Sequence, residues 1–213
     1  MTLDLIKKSK TIFWDFDGVI KDSVSVKSDA FVQLFQAFGT EVTNKVKEHH
    51  ERNGGMSRYE KLPIYLNWAE EELSEELTYE YERKFSQLVK QKVINSPWIN
   101  GVLEYLQKNY KRQCFFLVTA TPQQEIEEIL KQLQIDRYFK YTIGSPTGKT
   151  SALKRLLDVY NVDLQQAIMV GDSNSDYEAA RENQVEFVLR KTELNKKLQE
   201  QLNCKTVDDF LNG

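Results

Sequence analysis

The fold of this chain is decided by the stretch TIFWDFDGVI, which occupies residues 11–20. Its first four residues are uncharged and mostly apolar, which is typical of a strand buried on both faces of a parallel sheet. Asp15 and Asp17 follow at once, and Gly18 comes next. A predicted buried strand therefore ends in two carboxylates, and alternate side chains of an extended chain share a face.

Two carboxylates placed this close should repel each other, and the next basic residue in the sequence is Lys21. Proteins usually offset such repulsion with a divalent cation, which binds the carboxylate oxygens as ligands. The alternative is that Asp15 and Asp17 simply solvate a turn, since Asp and Gly both favour turns. The stretch alone leaves both interpretations open.

A second pair of carboxylates, Asp172 and Asp176, occurs in the stretch GDSNSD at residues 171–176. It also follows an apolar run, at residues 167–170. Because parallel strands end at the same edge of a sheet, four acids from two distant segments can converge there on one hard cation. For Asp176 the alternative is an ordinary acid in a first helical turn, where it stabilises the helix dipole.

Short apolar runs and helical patterns alternate along much of the chain, which predicts βαβ units and an α/β, Rossmann-like parallel sheet covered on both faces. The predicted strands are residues 11–14, 114–118, 141–143, 167–170 and 186–189. The predicted helix starts are Ser96 before Pro97, Thr121 in a capping box with Gln124, Lys149, and Ser175 in a capping box with Glu178.

Residues 24–95 differ from the rest, because apolar residues recur there at helical spacing and no strand pattern is visible. We predict an inserted, all-helical cap at 24–95, and a core made of residues 1–23 and 96–213. The insertion leaves the core directly after the first strand, at the edge of the sheet where open α/β folds bind ligands.

Two further residues are candidates for binding an anion. Thr119 follows an apolar run, so its hydroxyl and the next amide, that of Ala120, are predicted at a strand end beside a helix start, which suits a phosphate oxygen. Thr121 is predicted only to cap that helix. Lys149 opens a helix, where the dipole disfavours a cation, so we expect an anion beside it. The preceding glycines lack the spacing of a Walker P-loop.

In order and content these segments resemble the haloacid dehalogenase superfamily. Residues 15–19 match the first motif of that superfamily, DxDG(V/T), and residues 22–23 fit its usual continuation. Thr119 matches the second motif, Lys149 the third, and residues 171–176 the fourth, GDSxxD. The predicted helical insertion resembles the C1 cap of phosphoglycolate phosphatase-like and β-phosphoglucomutase-like members.

The resemblance implies a catalytic role for each matched residue. Asp15 is expected to attack phosphorus and become an aspartyl phosphate, while Asp17 gives a proton to the leaving oxygen and later accepts one from water. The phosphoryl oxygens are expected to bind Thr119, Ala120 and Lys149. Dehalogenation is the weaker alternative, because halide leaves without a proton and needs no acid at the position of Asp17.

The resemblance also implies Mg²⁺ as the cofactor. Its expected ligands are the carboxylates of Asp15 and Asp172 and the backbone carbonyl of Asp17, with Asp176 supporting the site through water or by orienting Lys149. The expected activity is hydrolysis of a small phosphomonoester. The alternatives are a sugar-phosphate mutase of the β-phosphoglucomutase kind and, less favoured, a phosphate-sensing module without catalysis.

Residues of the cap are expected to determine which substrate is bound. The glycines around Gly55 allow a close approach of backbone to ligand, and Arg58 could meet an anionic substrate group. The alternative is a helix–helix turn followed by a capping box from Ser57 to Glu60. His49 and His50 are expected to be ordinary cap residues. Phosphonate hydrolysis would need a cap lysine that forms an imine, and the sequence singles none out among Lys45, Lys47 and Lys61.

Composition bounds the possible partners. The chain is 40% hydrophobic and 29% charged with a net charge of −3, which indicates a globular protein without a pull toward nucleic acid or anionic membrane. Residues 1–10 are too polar for a signal peptide, and no apolar run approaches the ~20 residues that a membrane span needs. Both observations predict a cytoplasmic protein. Neither Cys114 nor Cys204 has metal or disulfide spacing. We expect a monomer or homodimer whose partner is a small phosphorylated metabolite.

Overall fold

A computed structural model describes residues 2–211. Met1, Asn212 and Gly213, which the predicted core boundaries include, lie outside the described residues. A six-stranded sheet with the order β3-β2-β1-β4-β5-β6 forms the centre, and all of its pairings are parallel. The strands are β1 (Thr11–Trp14), β2 (Cys114–Pro122), β3 (Tyr141–Ser145), β4 (Ala167–Gly171), β5 (Glu186–Arg190) and β6 (Lys205–Val207).

Helices connect and cover the strands. They are α1 (Thr2–Lys8), α2 (Val24–Phe35), α3 (Gly39–Arg52), α4 (Arg58–Trp68), α5 (Glu75–Asn95), α6 (Val102–Asn109), α7 (Gln123–Gln132), α8 (Lys149–Tyr160), α9 (Asn174–Glu182) and α10 (Lys196–Gln201). Between residues 2 and 211, none of these helices has both the length and the apolar character needed to cross a membrane.

Strand β1 lies between β2 and β4, and this order makes its carboxyl end the centre of a crevice. Thr11 pairs with Cys114 of β2 on one side and with Ala167 of β4 on the other. The chain therefore leaves β1 toward both halves of the sheet, which is the arrangement that opens a ligand-binding crevice in doubly wound folds. Asp15 is the first residue after β1.

The two faces of the sheet are buried in two apolar layers, so successive side chains of β1 enter different layers. Ile12 and Trp14 pack in the layer that contains α1, α6, α7 and the helical insertion. Phe13 packs in the opposite layer, against α8 and α9. The predicted α/β class with a two-sided parallel sheet is therefore confirmed.

Helices α2 to α5 fall between β1 and β2, as predicted for an all-helical insertion. Their own aromatic cluster is centred on Phe31, whose ring stacks on that of Phe85 at 3.9 Å between centroids. The Tyr65 ring meets Phe31 edge-on at 5.3 Å, and Phe35 meets Tyr65 at 5.7 Å. The same cluster continues without a break into the core layer below.

The helix predicted to start at Ser96 begins instead at Val102, and that prediction is wrong. Ser96 ends α5, and the chain then runs extended, with the Asp22 backbone amide donating to the Pro97 carbonyl at 2.9 Å. This pairing ties together the two segments that join insertion and core. The turn into α6 needs a positive φ, which Gly101 supplies at 76°.

Two predicted capping boxes are also misplaced. Helix α9 begins at Asn174 because Ser173 and Asp176 form the box, not Ser175 and Glu178. The predicted box of Thr121 and Gln124 is absent, since β2 continues to Pro122 and α7 starts at Gln123. The extension follows from a register shift between β2 and β3, which lies between Val118 and Pro122. Strand β6 and helices α1 and α10 were not predicted.

We predict that Phe31→Ala lowers the free energy of unfolding by about 3–5 kcal/mol, because the deletion leaves a cavity under the stacked rings. Urea denaturation followed by far-UV circular dichroism measures the loss. The matched control is Tyr79→Ala, which removes a cap ring that is 62% exposed and should change stability by less than about 0.5 kcal/mol. Equal losses in both variants would contradict the assignment of Phe31 to the cap core.

Candidate active site

Three carboxylates meet at the carboxyl edge of the sheet. Asp15 follows β1, while Asp172 and Asp176 follow β4, and one oxygen of each lies within 4.8 Å of the others. Lys149, the first residue of α8, enters the same cluster. Its Nζ donates to Asp15 Oδ2 at 2.9 Å and to Asp176 Oδ1 at 2.6 Å. The anion expected beside Lys149 is therefore this pair of carboxylates.

The local backbone explains why these side chains can come so close. Gly18 has a φ of 75°, and a Cβ built on it would lie 2.0 Å from Asp172 Oδ2. Only glycine fits this conformation and this approach. Asp176 is held from its other side, because its Oδ2 accepts from the Ser173 backbone amide at 3.2 Å and from the Ser173 hydroxyl at 2.5 Å.

The electrostatics of the cluster favour a bound cation. Burial and the neighbouring charge of Asp176 raise the pKa of Asp15, although Lys149 opposes this. Burial and the charge of Asp15 raise the pKa of Asp172 well above its usual range. Burial opposes the charge on Lys149 too, yet Asp15 and Asp176 together raise its pKa. Three acids facing one lysine form a hard oxygen site that fits Mg²⁺.

Asp17 faces away from this cluster, toward a second cation. Its Oδ2 accepts from Lys27 Nζ at 2.5 Å and from Thr121 Oγ1 at 3.1 Å, and its Oδ1 accepts from Ser23 Oγ at 2.6 Å. Burial opposes the charge, but Lys27 and these hydrogen bonds outweigh it and lower the pKa of Asp17. Thr121 was predicted only to cap a helix, and that prediction is wrong. Its hydroxyl instead donates to Asp17 and accepts from Lys27.

Thr119 and Ala120 lie in the irregular end of β2 rather than after the strand. The Thr119 hydroxyl accepts from the Thr121 backbone amide at 3.2 Å, and the Ala120 carbonyl accepts from Ser145 Oγ at 2.8 Å. Both residues line the same small cavity as Asp15, Asp17, Lys149 and Asp172. The residues predicted to bind phosphate and metal are thus brought together, and Asp176 belongs to the same carboxylate cluster without lining the cavity.

The helical insertion closes this cavity. Residues of α2, α3 and α4 form its roof, and its volume is about 40 Å³. The cap and the edge of the sheet therefore line one cavity together, so a molecule bound there would meet residues of both.

A buried ion pair holds the cap in this closed position. Arg58 of α4 donates from Nη1 to Glu125 Oε2 of α7 at 2.9 Å, and its guanidinium lies 4.7 Å from the centroid of the Phe85 ring. Ser86 also donates to Glu125. Gly55 meets the core as well, since a Cβ there would lie 1.8 Å from Ser175 Oγ. The roles predicted for Gly55 and Arg58 in substrate binding remain predictions.

The predicted capping box of Ser57 and Glu60 is present, and it starts α4 at Arg58. This fixes the face of the helix that meets the core, since Arg58, Lys61 and Tyr65 follow one another at helical spacing and are all buried. His50 of α3 is buried beside them, with its Nδ1 2.9 Å from Lys61 Nζ.

Sequence reasoning missed Lys27, Glu125 and Lys61 as parts of this site. One signal was present in the sequence: Lys27 lies four and eight residues before Phe31 and Phe35, so a charged side chain shares a face with apolar ones. Glu125 carries no comparable signal, because its partner is 67 residues away in the chain.

Comparison with known proteins gives consistent results. The model of the haloacid dehalogenase-like hydrolase family matches residues 12–189. The chain is 28% identical over 191 residues to a phosphorylated carbohydrates phosphatase of Thermotoga maritima, covering 84% of this chain and 83% of that protein. It is 30% identical over 183 residues to a phosphoglycolate phosphatase of Aliivibrio fischeri, covering 81% and 79%.

A solved structure, a predicted phosphoglycolate phosphatase from Haemophilus somnus, has a similar fold. The TM-score is 0.72 with 20% identity, and the match covers 96% of each chain. This likeness supports the order of strands and helices described above.

We predict that Arg58→Met lowers the free energy of unfolding by about 3–5 kcal/mol, because it leaves the buried Glu125 without its cation. Adding Glu125→Met should restore most of the loss. Urea denaturation of both variants measures the coupling. The control is Lys90→Met, which breaks the exposed cap–core pair with Glu128 and should cost no more than about 1 kcal/mol. A double variant as unstable as Arg58→Met would show that the stability loss does not come from breaking the Arg58–Glu125 ion pair.

Proposed function

The chain belongs to the haloacid dehalogenase-like hydrolases, and from this premise we propose that it is a Mg²⁺-dependent phosphatase of a small phosphomonoester. The observation that carries the proposal is the position of Asp15. It lies at the centre of the crevice, buried, and its carboxylate is held by Lys149 beside the oxygens of Asp172 and Asp176. Related phosphatases of phosphorylated carbohydrates and of phosphoglycolate support the same substrate class.

Asp15 is the nucleophile in this proposal. Its Oδ1 accepts from the Phe16 backbone amide at 2.7 Å and its Oδ2 from Lys149, so the carboxylate cannot rotate freely. A fixed carboxylate can approach phosphorus in line with the leaving oxygen, which is the positioning that phosphoryl transfer requires. The product of this step is an aspartyl phosphate on Asp15, which water then hydrolyses.

Asp17 moves the protons. It gives one to the leaving oxygen and takes one from the attacking water. Lys27, Thr121 and Ser23 hold its carboxylate at the edge of the cavity. Their hydrogen bonds favour the ionised form, which accepts the proton of the attacking water. The proton taken up in this step is the one that Asp17 gives to the leaving oxygen of the next substrate molecule.

The transferring phosphoryl group is held by donors around the cavity. The Thr119 hydroxyl, the Ala120 backbone amide and the Lys149 ammonium are the proposed contacts. Mg²⁺ would be held by Asp15, Asp172 and the Asp17 carbonyl, with Asp176 fixing Lys149, and it supplies charge stabilisation for the phosphoryl oxygens. Without a cation, the raised pKa values of Asp15 and Asp172 show that their charges are poorly compensated.

We predict that wild-type protein releases phosphate from members of a panel of small phosphomonoesters, and only with Mg²⁺. Asp15→Asn should reduce this release by at least roughly 1,000-fold, because the amide is no nucleophile. Asp158→Asn, an exposed replacement of the same kind on α8, serves as the control. Sugar-phosphate isomerisation without free phosphate would identify a mutase instead, and inactivity toward every ester and sugar phosphate would refute both.

Metal binding is testable without turnover. Mg²⁺ at about 100 times its dissociation constant should stabilise the folded protein by about 2.7 kcal/mol, which raises the melting temperature. Asp172→Asn should abolish most of the increase, because it removes a charged ligand, whereas Asp158→Asn should retain it. Differential scanning calorimetry with and without Mg²⁺ makes the comparison. An increase of the same size in Asp172→Asn would exclude Asp172 as a ligand.

A further inference from the structure

Four cationic side chains line the closed cavity, and three of them have a carboxylate partner. Lys149 pairs with Asp15 and Asp176, and Lys27 pairs with Asp17. Arg58 pairs with Glu125. These three charges are therefore balanced within the protein itself.

Among the cations that line the cavity within residues 2–211, Lys61 is the one without a carboxylate partner. It is only 1% exposed, and its one recorded hydrogen bond runs to His50 Nδ1 at 2.9 Å. His50 cannot balance the charge, since burial and the charge of Lys61 lower its pKa well below the usual range and keep it neutral. Its ring instead fixes where the ammonium points.

The surroundings of Lys61 make its charge costly, because the side chain is buried. Burial, with the charge of Lys27 second, lowers its pKa to about 7. A nearby aromatic ring helps little, because Nζ lies 6.0 Å from the centroid of Phe31. A buried cation without a partner is rare unless a ligand supplies the anion.

The position of Lys61 shows which part of a ligand could supply the anion that balances its charge. Lys61 belongs to the cap roof, whereas Asp15, Thr119 and Lys149 form the floor at the sheet edge. A phosphoryl group bound at the floor leaves the rest of the molecule facing the roof. The group that reaches Lys61 is thus the end of the substrate that is not transferred.

We propose that Lys61 and His50 form a subsite for a second anionic group on the substrate, a carboxylate or a second phosphate, at the end opposite the transferred phosphoryl group. This inference rests on the proposed function and narrows its substrate class to small phosphomonoesters with two anionic ends.

The test compares substrates that differ only in the second anion. One pair is 2-phosphoglycolate and 2-hydroxyethyl phosphate, which exchanges a carboxylate for a hydroxymethyl group. The other pair is glucose 1,6-bisphosphate and glucose 6-phosphate, which tests a second phosphate. In one of the two pairs, we expect the wild type to prefer the member with the second anionic group by about 10- to 100-fold in kcat/KM, as a charged hydrogen bond in a buried site provides.

Lys61→Met should bring this ratio to within about threefold of 1, and Lys61→Arg should keep part of it. Lys45→Met, on the exposed face of α3, is the matched control and should keep all of it. Thermal melting confirms folding, which we expect because removal of an unpaired buried charge relieves a cost.

Calorimetric binding of the same compounds to Asp15→Asn, with and without Lys61→Met, separates this inference from the proposed function. Tighter binding of the compound with the second anionic group, lost in Lys61→Met, supports the subsite even if no phosphate is released. Equal ratios for Lys61→Met and wild type, in binding and in turnover, would overturn it. Failure of every compound to release phosphate would reject the proposed function while the binding ratio still decides the subsite.

Discussion

The burial of Lys149 between two carboxylates is the interaction on which the rest of the site depends. Asp15 follows β1 and Asp176 lies in α9, which follows β4, and each is within 3 Å of the same ammonium. Replacement of Lys149 would leave Asp15 and Asp176 buried without their cation, which is among the most destabilising changes a protein can suffer. The cluster therefore requires β1, β4 and α8 to meet at one edge, and the strand order of the sheet provides this.

The same cluster retains an excess of negative charge. Three acids face one lysine, and the pKa values of Asp15 and Asp172 rise as a result. A hard cation relieves this excess, whereas an anionic phosphoryl group adds to it and needs the cation to be bound first. The electrostatics thus agree with the order in which the proposed chemistry needs its components, with the acids arranged first and the phosphoryl group added last.

The cap has the opposite imbalance. Its roof contributes Lys27, Arg58 and Lys61, and the core supplies partners for the first two alone among the described residues. A bound molecule with a second anionic group would give Lys61 the partner that the protein does not supply. The Arg58–Glu125 pair joins the cap to the core, so it stabilises the arrangement in which cap and core line the cavity together.

The sequence by itself determined the α/β class, the helical insertion and the candidate residues at the ends of β1 and β4, because burial on two faces and motif spacing are local properties. Its errors at Ser96, Thr121 and Ser175 arose where the neighbouring chain, rather than local propensity, sets the end of an element. Only the tertiary structure decided that Thr121 donates a hydrogen bond to Asp17, 104 residues away in the chain, and that Arg58 pairs with Glu125, 67 residues away. Such pairings depend on strand order and cap closure, which no local pattern of residues encodes.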